Sequence, residues 1–409
     1  MTTDTSPARH TVVIVGGGTA GIGLASALLR RDPALDIAVV EPSDDHCYQP
    51  ALTLVGAGYY PLEKTMGETA AVMPAGVTWL REAAAVFDAR ARTVELANGQ
   101  VIGYEHLVLC PGLECDWSAI DGLTETLGRN GVTSNYHPQT AAYTSECLRE
   151  FKGERALFTQ PAMPIKCPGA PQKIAYLAAD RLRRQGRLGD VDIQFCLAGD
   201  KLFSVDAFVE PLLAVAERYG IRLGYRKELV AVEGDRRTAH FRVSDGAGGH
   251  SEVSESFDLL HAVPPQRAPS CIRHSAFANE QGFVAVDHGT LQHPEYETVF
   301  ALGDAAGTPN SKTAAAVRAQ IPVVRDNLLA AIAGRQATAR YDGYGACPLT
   351  TAKGRVILAE FGYGGVLKPS FPVDPTRERR SMWHFKRDFL PWFYWQWLLK
   401  GRPFATAQS

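Results

Sequence analysis

The stretch that most constrains this chain runs from Thr11 to Gly21. A β-branched apolar strand, Thr11 to Val15, is followed at once by Gly16-Gly17-Gly18-Thr19-Ala20-Gly21 and then by a helical run from Ile22 to Arg30. Gly16 permits the tight turn, Gly18 lets the backbone approach a pyrophosphate, and Gly21 lets the helix pack closely on the strand. The helix N-terminus offers free N–H groups and the positive end of its dipole to an anion. A second strand, Ile37 to Val40, ends in Glu41, twenty positions beyond Gly21, where a carboxylate accepts hydrogen bonds from ribose hydroxyls. The spacing predicts a doubly wound α/β domain that binds a dinucleotide. The competing reading is a glycine-rich turn with no nucleotide.

Two later segments belong with this unit. After a hairpin-like region, Val94 to Glu105, comes the apolar strand His106 to Cys110 with Pro111-Gly112. Much further on, Val299-Phe300-Ala301-Leu302 reads as a buried strand ending in Gly303-Asp304, and Lys312-Thr313-Ala314-Ala315 opens another helix. Asp304 is placed for the ribityl or pyrophosphate region of a flavin dinucleotide, and the Lys312 helix end for the electron-rich pyrimidine side of a flavin. The plainer reading of Asp304 is a turn former after a core strand. The whole pattern resembles the FAD half of the flavoproteins with two dinucleotide-binding domains.

Between these parts, residues 116–254 read as a second doubly wound unit: strand Ala156 to Thr159, helix Gln172 to Leu182, strand Val191 to Ala198, helix Ala207 to Tyr219. Related reductases bind NAD(P)H there through a second glycine motif. Here Gln160-Pro161-Ala162-Met163-Pro164 follows the strand, and no such motif is present. Instead Pro164-Ile165-Lys166-Cys167-Pro168-Gly169-Ala170-Pro171-Gln172-Lys173 places a cysteine between prolines just before a helix start, where the dipole favours thiolate. The competing reading is an inert, packed cysteine.

Composition removes several classes. Lys plus Arg number 42 against 44 Asp plus Glu, so there is no basic field for nucleic acid. The eight cysteines show neither a C-x-x-C pair nor zinc spacing, so no metal site is expected. Met1 to His10 is polar, without a signal-peptide core, and a reducing, cytoplasmic compartment is the expectation. No apolar run reaches the roughly 20 residues of a spanning helix. The end is aromatic: Phe389 to Leu399 holds Trp392, Trp395 and Trp397 between Lys386, Arg387 and Lys400, Arg402. That pattern fits the headgroup boundary of a bilayer or the mouth of a pocket for an apolar ring. The alternative is a packed C-terminal helix or a homo-oligomer interface. Read as a membrane tail, it is expected to come away from Phe389 onward with bound flavin retained.

Taken together, the chain resembles the sulfide:quinone oxidoreductases, in the subgroup that includes the mitochondrial enzyme. The resemblance rests on Lys166 to Lys173, on Ser311-Lys312-Thr313-Ala314-Ala315-Ala316, on Tyr341-Asp342-Gly343-Tyr344 leading to Cys347-Pro348-Leu349, and on Arg355 to Phe361, and it covers nearly the full length. It implies two Rossmann-like α/β domains of the FAD/NAD(P)-binding type plus an aromatic C-terminal membrane and quinone region. The expected division is 1–115 and 255–330 for the FAD domain, 116–254 for the unit carrying Cys167, and 331–409 for the C-terminal region carrying Cys347. FAD would contact Thr19, Ala20, Glu41, Gln49, Ala84, Lys173, Asp304 and the helix start at Lys312, Thr313, Ala314 and Ala315. Cys167 and Cys347 would form the redox disulfide, and Lys386 would lie near the quinone.

The activity so implied is oxidation of hydrogen sulfide to a persulfide on Cys347, leaving Cys167 as a thiolate beside the flavin. Two electrons would pass through FAD to ubiquinone or menaquinone, and the sulfane sulfur to glutathione, another thiol or sulfite. The protein would be monotopic, on the cytoplasmic face of a membrane. Two departures stand out. Gly131-Val132-Thr133-Ser134-Asn135 lacks a third cysteine that some bacterial members use, and Cys110-Pro111-Gly112 replaces the usual Ala-Thr-Gly. Cys110 and Cys115 are expected to be structural. The rival readings are a type II NADH:quinone dehydrogenase and a flavin-bearing redox sensor.

Overall fold

A computed structural model describes residues 7–403, so the first six residues of the polar N-terminus lie outside the described part. The chain begins with β1 (Arg9–Val15), the glycine turn, α1 (Thr19–Leu29) and β2 (Ile37–Val40). Val12, Val13 and Ile14 of β1 are fully buried, and each such side chain contributes roughly 1.5–3 kcal/mol. Then follow β3 (Val77–Leu80), β4 (Ala84–Asp88), β5 (Thr93–Leu96) and the long β6 (Val101–Leu109). Strands β3, β2, β1 and β6 pair in parallel in that order. The first residues of β6 carry the antiparallel β5 and β4, so the expected hairpin between 94 and 105 is real.

The second unit opens with β7 (Val132–Thr133) and β8 (Arg155–Gln160), then α2 (Ala170–Arg184), β9 (Asp192–Leu197), β10 (Arg222–Gly224) and β11 (Leu259–His261). The five strands pair in parallel in the order β7, β11, β8, β9, β10. The boundary expected at 254 is therefore too early. Strand β11 lies between β7 and β8, and its three buried residues, Leu259, Leu260 and His261, are too short a segment to stand out by pattern.

The chain then returns to the first sheet. Strand β12 (Val299–Ala301) pairs with Leu107–Leu109 of β6, and α3 (Ala314–Ile332) packs on α1. Finally β13 (Gly345–Ala352) and β14 (Arg355–Phe361) form a hairpin lying on α2. Residues 380–398 run on helically, with widened π-type turns at Phe385–Phe389 and Tyr394–Leu398. The C-terminal region has no core of its own. Cys347, Leu349, Met382 and Trp383 are buried in the core of the second unit, whereas Phe393, Tyr394, Leu398 and Leu399 are buried in that of the first. No helix of the described residues is long and apolar enough to cross a membrane.

Candidate active site

Strand β8 is separated from α2 by residues 161–169, whereas β1 is separated from α1 by Gly16, Gly17 and Gly18 alone. The first arrangement leaves room for a loop with chemistry of its own. Its tip, Cys167, has φ of 52°, a left-handed conformation that costs a non-glycine residue on the order of 1–2 kcal/mol. Two main-chain hydrogen bonds hold it there: Cys167 N donates to Lys312 O at 2.8 Å, and Ala170 N donates to Cys167 O at 2.7 Å. The Tyr136 hydroxyl also donates to Cys167 O, at 3.5 Å. The cysteine loop is thereby stitched to the start of α3.

Cys347 reaches the same point from β13. Both cysteines are free thiols, and they are hydrogen-bonded to one another. The approach is close enough that a Cβ on Gly169 would fall 2.5 Å from Cys347 Sγ. Lys173, one turn into α2 and 2% exposed, donates from Nζ to Cys167 Sγ at 3.0 Å. Lys386, in the first widened turn of the tail and 5% exposed, donates to Pro348 O at 3.2 Å and acts on the same two sulfurs.

The electrostatics sort the two thiols. The hydrogen bond from Cys347 is the largest influence on Cys167 and, with Lys173 and Lys386 working against burial, it holds Cys167 well below the ordinary thiol range. Cys347 is pushed well above that range by the same hydrogen bond and by burial. The negative charge of the pair accordingly favours Cys167, the sulfur within hydrogen-bond distance of Lys173. Burial alone would depress Lys173, but the two sulfurs outweigh it and its pKa rises. Burial, helped by Lys173, takes Lys386 down to about 7. A helix dipole was the expected cause of the thiolate; the structure adds a sulfur partner and two amines beside it.

Next to this pair lies the other half of the site. The Lys312 side chain turns inward, donating to Asp304 O at 2.7 Å and Ala306 O at 3.0 Å, and burial lowers it to about 8 against the pull of Asp304. Burial raises the Asp304 carboxyl, against Lys312. Thr313 caps α3, its hydroxyl accepting from Ala316 N, while Ala314 and Ala315 are half-buried at the helix start. A Cβ on Gly303 would stand 3.3 Å from the Ala20 side chain, so the Asp304 turn abuts the glycine turn.

In that turn Gly16 has φ of 106°, and a Cβ there would meet Cys110 O at 2.4 Å, so only glycine fits. The Cys110 thiol donates to Gly16 O at 3.5 Å. A Cβ on Gly21 would meet Gly16 O at 1.8 Å, whereas Gly18 is exposed with nothing within 4 Å of its Cβ position. Helix α1 has no side-chain cap. An open approach beside an uncapped helix start fits the phosphates of a dinucleotide. Glu41 accepts from Gly17 N at 2.7 Å and Ser43 N at 2.8 Å, which leaves its carboxylate lone pairs for a ribose. Gln49 is exposed on a short 3-10 turn, and Ala84 opens β4 half-buried. Two residues beside the site carried no motif: Tyr136, buried between the thiols and Cys115, and Tyr394 of the tail, whose hydroxyl lies 3.0 Å from Thr19 Oγ1.

Comparison with known proteins bears on this geometry. A family profile for pyridine nucleotide-disulphide oxidoreductases matches residues 10–146. The chain is 39% identical over 397 residues to the mitochondrial sulfide:quinone oxidoreductase of Dictyostelium discoideum, covering 96% of this chain and 87% of that protein. The Mus musculus protein of the same name is 36% identical over 397 residues, covering 97% and 88%. In fold this chain is similar to the sulfide:quinone oxidoreductase of Aquifex aeolicus, with a TM-score of 0.75 over 97% of this chain and 92% of that one at 20% identity. These likenesses imply a flavin-type redox cofactor. With likeness extending over nearly all of both chains and a reactive thiol pair at the meeting of two doubly wound units, this chain belongs to the sulfide:quinone oxidoreductase family.

Proposed function

We propose that the chain oxidises sulfide at Cys167 and Cys347 and delivers two electrons through FAD to a membrane quinone. The observation that carries this reading is the thiol pair itself, with Cys167 held anionic beside Lys173 and Lys386. In the oxidised enzyme the two sulfurs form a disulfide, and hydrosulfide attacks Cys347: a new S–S bond makes the Cys347 persulfide, and the old one breaks to leave Cys167 as thiolate. The charge on that leaving sulfur is stabilised by Lys173, already within hydrogen-bond distance. A thiol or sulfite anion then takes the outer sulfur, leaving Cys347 as a thiol. Re-forming the disulfide from the Cys167 thiolate and the Cys347 thiol releases two electrons and one proton. FAD, when bound, supplies the two-electron acceptor for that step and the route to quinone.

Gly16, Gly18 and Gly21 shape the phosphate approach, Glu41 takes the ribose, and Asp304 with the start of α3 faces the remainder of the dinucleotide. Lys386, poised near neutrality, supplies or takes a proton as quinone is reduced. Quinone reaches it from a membrane surface met by exposed Phe389 and Trp392 of the tail. The test is an anaerobic titration of the purified protein with sulfide, following the flavin spectrum. Bleaching with a new long-wavelength charge-transfer band is expected, and Cys167→Ser should abolish both. Full bleaching in Cys167→Ser would refute the assignment.

A further inference from the structure

The tail does more than lie on the surface of the first unit. Tyr394, 2% exposed, places its hydroxyl 3.0 Å from Thr19 Oγ1, on the first residue of α1, and 2.5 Å from His46 Nε2. The His46 ring also faces the backbone of Gly17, inside the glycine turn, which works against the effect of its burial. His46 is 4% exposed, and burial keeps the imidazole neutral, with its pKa lowered to about 4. The Tyr394 hydroxyl can donate one hydrogen and accept another, so it can serve both neighbours at once, the neutral ring and the Thr19 hydroxyl. His46, Tyr394 and Thr19 therefore form a hydrogen-bonded circuit beside the turn that cradles phosphates. The Tyr394 ring is fixed against Tyr48, with centroids 4.5 Å apart.

We propose that Tyr394 is a positioning residue for the dinucleotide cradle, holding the glycine turn and the start of α1 from the far end of the chain so that flavin is retained. This rests on the flavin reading given above. The hydroxyl is the part that matters: Phe at this position would keep the packing on Tyr48 but lose both hydrogen bonds. Another tail contact provides a contrast. Ser26 Oγ donates to Leu399 O at 2.6 Å, securing the tail further along α1 without touching the turn.

The experiment measures flavin release from the purified holoenzyme by the rise in flavin fluorescence on dilution. Tyr394→Phe should release flavin about tenfold faster, the scale of one net hydrogen bond out of the two lost, with some fall in the melting temperature of the flavin-free protein as well. Ser26→Ala should release flavin at the wild-type rate. Thr19→Val breaks the same circuit from the other end, and the double variant with Tyr394→Phe should be no faster than the faster single. Unchanged release from Tyr394→Phe, an equal increase from Ser26→Ala, or simple additivity in the double variant would each overturn the proposal. Wild-type protein purified without any flavin would overturn the FAD reading itself, a failure distinct from the other three.

Discussion

Charge at a single sulfur depends on groups drawn from three parts of the chain. Cys167 lies in the loop before α2, Lys173 one turn into that helix, and Cys347 and Lys386 far downstream. Because its pKa is depressed, Cys167 stays thiolate as pH falls below the ordinary thiol value of about 8.5. At about pH 6 iodoacetamide should therefore label Cys167 ahead of every other cysteine in the reduced protein, as read by peptide mass. Lys173→Met removes the hydrogen-bonded cation and should shift that labelling profile toward higher pH. Equal labelling of Cys167 and Cys115 in the wild type would contradict the charge assignment. The reactive cysteine was legible from its prolines and the helix behind it. The cause of its reactivity was not, since pairing with Cys347 came from resemblance and no spacing announces that Lys386 points at the pair. Tyr136, His46 and Tyr394 fall in no motif at all; they act through single hydroxyl and ring contacts that only a folded chain displays.

Elements with a steric signature were the easiest to read. The β1–turn–α1 unit declares itself because Gly16 and Gly21 each face a backbone atom too close for any Cβ. Strands β2 and β14 have the bounds that their apolar runs predict. The tail was legible as aromatic and basic, but which half is buried was not. Its two widened turns shift the register away from 3.6 residues per turn, so a face assigned by ordinary helical periodicity drifts off the true one. The expectation of a tail that comes away cleanly is corrected accordingly. Phe393, Tyr394, Leu398 and Leu399 belong to the first core, and losing their burial costs roughly 6–12 kcal/mol, comparable with the whole stability of a domain. Truncation from Phe389 should yield aggregated, flavin-free chain, judged by gel filtration and absorbance. Phe389→Ala with Trp392→Ala alters only exposed rings. It should reduce cosedimentation with lipid vesicles while leaving the flavin content of the soluble enzyme intact.

At the scale of the molecule, two units built on one plan have taken different work. The first keeps a short glycine turn between strand and helix; the second has residues 161–169 there, bent around Cys167. A strand, tight turn and helix start is what holds a dinucleotide pyrophosphate, so the second unit has no such seat for NADH. NADH should neither bleach the flavin nor support quinone reduction, as measured anaerobically beside sulfide; turnover with NADH at rates matching sulfide would overturn that expectation. The two-unit plan itself was visible in the alternation of strands and helices. The place where the chain crosses back was not, because β11 is short and pairs with strands distant in sequence.

The dependence of Cys167 on late parts of the chain also bears on how the protein is made. Its sulfur leaves the ribosome well before Cys347, the largest influence on its charge, and before Lys386, while Lys173 emerges almost with it. Through the whole interval in which synthesis proceeds from 167 to 347, the thiol that will be the most reactive in the protein lacks its sulfur partner. Its nucleophilicity matures only when the last hairpin and the tail dock, so the nascent chain carries its most hazardous group in a muted form until the site that uses it is assembled.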